Sequence, residues 1–189
     1  IWDSLPVDRM VKSERGTVYP KVIDYACGAG HFLTEAVEAI NHFAYSNGDN
    51  SWARDHIFGI EKDYRLARVA KISLFMNGAG EGSIIFGDGL ENTPDKGNGG
   101  EIETLFVERI GQLLKPQGIA AVILPSSILS NDSASYTGAR EQFLQNFYIR
   151  AIVAFGSKTF GATGTNTVVM FLEKFNEPPK QIDLSSDSV

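Results

Sequence analysis

The sequence has a single cysteine, Cys27, in 189 residues, so no internal disulfide can form. Its three histidines, His31, His42 and His56, are scattered and form no Cys/His cluster of zinc-ligand spacing, so no metal site is expected. No apolar run approaches the roughly 18 residues that a membrane-spanning helix needs. The amino end, Ile1-Trp2-Asp3-Ser4, lacks the basic-then-apolar order of a signal peptide. These absences make a reducing cytoplasm the expected compartment, with no membrane partner. There is no starting methionine either, so the sequence is expected to begin inside a longer protein. Excess positive charge is also missing. The net charge is −6, so bulk charge argues for no nucleic-acid surface, and any positive field must be local or come from a partner.

At 43% hydrophobic residues the chain can bury one sizeable core. Residues 21 to 24 read as a short apolar strand that runs into the turn Tyr25-Ala26-Cys27-Gly28-Ala29-Gly30. From 31 to 43, Phe32, Leu33, Ala36, Val37, Ile40 and Phe43 recur at three- and four-residue steps, which predicts an amphipathic helix. A polar loop over 46 to 54 leads to a second strand, 57 to 60, that ends at Glu61. Asp63 can cap the next helix, for which Leu66, Val69, Ala70, Leu74 and Phe75 are the expected buried face, with Asn77-Gly78 as its stop. A third strand, 83 to 86, enters Gly87-Asp88-Gly89. Strands alternating with helices, each with an acid at or near its carboxyl end, predict a parallel doubly wound α/β sheet.

The polar stretch 91 to 100 then leads straight into a helix over 103 to 114. Sheet logic asks for a buried strand before that helix, and no apolar run of strand length is there. After the turn Lys115-Pro116-Gln117-Gly118 comes an apolar strand, 119 to 125, stopped by Pro125. The β-rich runs 148 to 155 and 165 to 171, joined by a Gly/Thr-rich tip, predict a C-terminal β-hairpin.

The glycine turn is the candidate site. Gly28 and Gly30 stand where a backbone must pass close to a ligand at the opening of a helix. A dinucleotide fingerprint needs a third small residue where this sequence has Leu33, so a nicotinamide-dependent oxidoreductase is the weakest reading. S-adenosylmethionine suits the residues better. Asp24 ends strand one near its amino-acid half, Glu61 ends strand two with both oxygens free for the ribose hydroxyls, and Asp88 follows strand three where it can accept from the adenine amine. Each acid has a plainer alternative: a loop cap for Asp24, a solvated first-turn residue for Glu61, a turn for Asp88. Their joint occurrence at three successive strand ends argues against turns alone. Cys27 has no histidine-plus-acid arrangement and reads as a packing residue rather than a nucleophile. Lys62, Arg65, Arg68 and Lys71 read as the solvated face of one helix, with phosphate contact as the alternative.

Asp24-Tyr25-Ala26-Cys27-Gly28-Ala29-Gly30-His31-Phe32-Leu33 resembles the first cofactor motif of the modification subunits of type I restriction-modification systems and related N6-adenine DNA methyltransferases, in which Asp-Pro-Ala-Cys-Gly-x-Gly is usual. Tyr25 replaces the proline. Gly59-Ile60-Glu61-Lys62-Asp63, Gly87-Asp88-Gly89-Leu90, Leu124-Pro125-Ser126 and Phe160-Gly161-Ala162-Thr163-Gly164-Thr165-Asn166-Thr167 are similar to stretches of the same family. The resemblance implies a Rossmann-like class I S-adenosylmethionine-dependent methyltransferase with a mostly parallel sheet. It implies a cofactor site built from Asp24, Ala26, Cys27, Gly28, Gly30, His31, Phe32, Leu33, Glu61, Lys62, Asp88, Gly89 and Leu90. It also implies methyl transfer to adenine N6 in double-stranded DNA, with target choice left to a specificity subunit or a fused recognition domain, and a restriction subunit as a further partner.

On this basis residues 1–20 are the end of a preceding helical segment, 21–175 the catalytic domain and 176–189 a tail or linker. The family carries Asn-Pro-Pro-Tyr or Asn-Pro-Pro-Phe at the end of its fourth strand, and this sequence has no such tetrapeptide. The absent motif and the absent strand coincide. Both point to a deletion, or to a missing disordered segment, near 91–101, and no residue of the sequence takes the catalytic roles. Disorder is favoured, since a loop that must grip a flipped base is often mobile without one. Methyl transfer to RNA or protein, and a cofactor-binding assembly module without catalysis, stay open as alternatives.

Overall fold

A computed structural model describes residues 1–44, 49–80, 83–91, 101–156, 159 and 166–177. The chain divides into two compact units, Ile1–Glu91 and Asn92–Val189.

The first unit opens with a short helix, α1 (Val7–Val11), and a two-stranded hairpin, β1 (Lys12–Ser13) and β2 (Gly16–Thr17). Then β3 (Val22–Asp24), α2 (His31–Ala44), β4 (Ile57–Glu61), α3 (Tyr64–Met76) and β5 (Ser83–Phe86) alternate as the periodicity predicts. The strands pair in parallel in the order β3-β4-β5, with Asp24 beside Gly59 and Glu61 beside Phe86. Leu33, Ala36, Val37 and Ile40 of α2 join Ala67, Ala70 and Leu74 of α3 in one core with Ile57 and Ile84. Burying each of the larger side chains contributes about 2 kcal/mol before entropy is counted. Val7 and Val11 belong to the same core, so the amino-terminal residues are part of this unit's packing.

α3 starts where Asp63 accepts from the backbone N–H groups of Arg65 (2.7 Å) and Leu66 (3.2 Å). It stops at Asn77, whose side chain donates to the Ser73 carbonyl, and at Gly78 with φ +74°. Its buried face differs from the expected one. Ala67, Ala70 and Leu74 point inward, while Leu66, Val69 and Phe75 are exposed. The reason is a close approach: a Cβ at Gly30 would lie 3.0 Å from the Ala70 Cβ. Small residues turn towards α2 at that crossing, and the larger ones are directed outward. Phe32, expected on the buried face of α2, is also exposed; its carbonyl accepts from the Trp2 indole N–H at 2.9 Å.

The second unit holds α4 (Ile102–Leu113), β6 (Ile119–Pro125), α5 (Ser127–Ser130), α6 (Ala134–Asn146), β7 (Phe147–Phe155) and β8 (Thr167–Lys174). The expected hairpin pairing of β7 with β8 is present, and β6 pairs antiparallel on the other side of β8, giving the order β6-β8-β7. Val168, Val169, Met170 and Leu172 of this central strand are buried, as are Val107 and Ile110 of α4 and Phe143 of α6. Lys174 closes α4: its ammonium donates to the carbonyls of Gly111 (2.6 Å) and Leu114 (2.7 Å), which the helix end leaves without partners. The expected segment near 91–101 and most of the hairpin tip lie outside the described residues. Among the described residues no helix is long and apolar enough to cross a membrane.

Candidate functional site

Parallel strands bring their carboxyl ends to one edge of a sheet, and ligands of open α/β sheets bind there. β3, β4 and β5 end at that edge with Asp24, Glu61 and, two residues past β5, Asp88. The turn between β3 and α2 is fastened to the end of β4. The Cys27 N–H donates to the Ile60 carbonyl at 3.1 Å, and the Gly28 N–H donates to Glu61 Oε2 at 2.8 Å. Gly28 and Gly30 have φ +54° and +83°, a region in which a side chain is strained. Nothing lies within 4 Å of where a Gly28 Cβ would stand, so open space adjoins the turn.

Each acid also accepts from the backbone near it. Asp24 Oδ1 takes the Ala26 N–H at 3.1 Å, Glu61 Oε1 takes the Asp63 N–H at 2.8 Å, and Asp88 Oδ1 takes the Leu90 N–H at 3.0 Å. The Glu61 oxygens are therefore not both free, contrary to expectation. A carboxylate has about four acceptor sites, so two backbone donors leave it able to accept two hydroxyls as well. Burial pushes the Asp24 carboxyl above the ordinary carboxylate value; its Ala26 hydrogen bond opposes the shift, and the Glu61 charge adds to it. Burial, and then the charges of Asp24 and Glu61, push the Cys27 thiol up to about 12, which makes it inert as a nucleophile.

The other candidates divide by exposure. His31 and Lys62 are exposed at the edge of the turn, and Ala26 is exposed within it. Cys27, Leu33 and Leu90 are buried, so these side chains pack into the interior. Cys27 and Leu33 fill the space over Gly59, where an added Cβ would lie 2.9 Å from the thiol sulfur and 2.8 Å from a Leu33 methyl. Gly59 was legible as a packing glycine, because a glycine inside a strand marks a close approach. Gly89 has the tightest environment: a Cβ there would stand 1.9 Å from the Tyr25 carbonyl oxygen. That contact and the Trp2 bond to Phe32 carry no sequence signal, since their partners are far apart in the chain.

Known proteins share parts of this sequence and its fold. Residues 93–186 match the model of the family described as N-6 DNA Methylase. The glycine turn lies before that match, in the first unit. The type II restriction enzyme and methyltransferase RM.BcgI of Heyndrickxia coagulans is 21% identical over an alignment of 174 residues that covers 80% of this chain and 27% of that protein. The M protein of the type I restriction enzyme EcoKI superposes with a TM-score of 0.70 at 22% identity, over 82% of this chain and 40% of that one. A methyltransferase subunit of a type I restriction-modification system from Streptococcus thermophilus gives 0.67 at 14%, over 90% and 43%. The chain thus spans between about a quarter and under half of these relatives. The fold is the one shared by these methyltransferases and by a putative class I S-adenosylmethionine-dependent methyltransferase from Listeria monocytogenes, and the segment 93–186 is similar to the N-6 DNA Methylase family.

Proposed function

We propose that this chain is the core of an enzyme that transfers a methyl group from S-adenosylmethionine to adenine N6 in DNA, as part of a restriction-modification system. The observation that carries the reading is that Glu61, close enough to Asp24 for their charges to interact, holds the Gly28 N–H beside open space at the carboxyl edge of the parallel sheet, with Asp88 just past the end of the adjacent strand β5. The donor set fits the cofactor. Glu61 would hold the ribose diol, Asp88 the adenine amine, and Asp24 the cationic end of the amino-acid half, with the bare Gly28 backbone admitting it closely. Bound there, the cofactor supplies an electrophilic methyl group on a sulfonium. The protein's own part is to hold and orient it and to keep Cys27 protonated and unreactive beside it.

Double-stranded DNA is the proposed substrate. A specificity subunit or fused recognition domain is the proposed source of target choice, with a restriction subunit as a further partner and residues 21–175 as the catalytic domain. The test is transfer of labelled methyl groups to unmodified duplex DNA, followed by nucleoside analysis. N6-methyladenine supports the reading, and methyl transfer to RNA or protein instead would replace it. A second reading, binding without turnover, rests on the absence of an Asn-Pro-Pro-aromatic tetrapeptide from the 189 residues. Cofactor binding with no transfer to any of these substrates is its signature.

A further inference from the structure

α3 is apolar on two opposite faces, and only one of them is used within the first unit. Ala67, Ala70 and Leu74 are buried against the core. On the outward side Val69, Ile72, Phe75 and Met76 are exposed at 45%, 54%, 65% and 79%. Arg65 stands seven residues before Ile72, and Arg68 seven before Phe75, so at 3.6 residues per turn the cations and the apolar side chains share one stripe. The stripe continues sideways, where the Tyr64 ring meets Phe86 edge-on at 5.5 Å and Arg68 lies 5.7 Å over Tyr64.

The charge on this helix is of one sign. Tyr64–Met76 contains Arg65, Arg68 and Lys71 and no acid, in a chain whose net charge is −6. Among the described residues Arg65 and Lys71 make no ion pair. A row of cations alone is satisfied by water, but four large apolar side chains beside it are not. A nucleic-acid backbone would answer the cations and leave Ile72, Phe75 and Met76 facing a hydrated polyanion. An amphipathic helix whose apolar stripe is flanked by carboxylates answers both.

We propose that the outward face of α3 docks an acidic amphipathic helix of a partner protein. The surface is separate from the glycine turn, and cofactor binding neither requires nor tests it. Two synthetic helical peptides with the same leucine stripe, one flanked by glutamates and one by lysines, are titrated against the full chain by fluorescence anisotropy, beside a short labelled DNA duplex. The glutamate peptide binds saturably, at least about tenfold more tightly than the lysine peptide, and weakens with salt. Joint replacement Arg65→Glu, Arg68→Glu and Lys71→Glu inverts that preference. Ile72→Ser with Met76→Ser abolishes binding while thermal unfolding and cofactor titration stay at the parent's level. Equal affinity for both peptides, no saturable binding, or capture of the duplex in place of the glutamate peptide overturns the proposal.

Discussion

The backbone N–H of Gly28 donates to Glu61 Oε2 at 2.8 Å, across 33 residues of sequence and from one strand end to the next. The same carboxylate takes the Asp63 N–H on its other oxygen, so Glu61 fastens the glycine turn to the start of α3. It orders the turn before any ligand arrives.

Glu61→Ala therefore loosens the turn in the ligand-free protein. Amide hydrogen exchange at Gly28 rises by at least about tenfold, while amides in the middle of α2 keep the parent's protection. Unchanged exchange at Gly28 would show that the turn is held without Glu61.

Gly89→Ala drives a methyl group towards the Tyr25 carbonyl oxygen, 1.9 Å from its ideal position. The expected cost is about 1 to 3 kcal/mol, read by urea unfolding. Gly111 is the counter-case: it lies inside α4 with nothing within 4 Å of an added Cβ. Gly111→Ala should stabilise by about 0.5 to 1 kcal/mol. Equal effects of the two substitutions would contradict the packing described.

Asp24 gives a pH signature. Its folded-state pKa lies above the ordinary 3.8, so ionisation opposes folding. The stability it contributes is complete below 3.8 and lost as pH rises through the raised value. Asp24→Asn is thus expected to melt higher than the parent at neutral pH, with the gap shrinking as pH falls towards the ordinary carboxylate range. A gap that stays constant with pH would assign the effect to something other than the buried charge. The same substitution is expected to weaken S-adenosylmethionine binding, which sets stability against function at this position.

Asp88→Ala removes the acceptor proposed for the adenine amine and is expected to weaken S-adenosylmethionine by about 1 to 3 kcal/mol. Calorimetric affinity equal to the parent's would remove Asp88 from the site.

Much of the first unit was legible because its parallel strands are short apolar runs ended by an acid or a glycine, α2 shows helical periodicity, and α3 carries its own cap in Asp63. The inward face of α3 was not, since Leu66, Val69 and Phe75 satisfy helical periodicity as well as Ala67 and Leu74 do; the choice between faces depends on Gly30, which lies in another element. The order β6-β8-β7 was illegible for a similar reason: strand composition does not name a pairing partner. β8 runs on to Lys174, past its expected end, because that residue's ammonium is held by the end of α4. The three acids of the site were visible as strand-end residues, but their backbone donors were not, and those donors decide how much of each carboxylate remains for a ligand.

The most direct test of the cofactor site is a calorimetric titration of S-adenosylmethionine into the parent chain and into Glu61→Ala. Saturable binding to the parent, weakened at least about tenfold in the variant, is the expected result. Binding of equal strength in both, or none to the parent, would contradict a cofactor site at the ends of β3, β4 and β5.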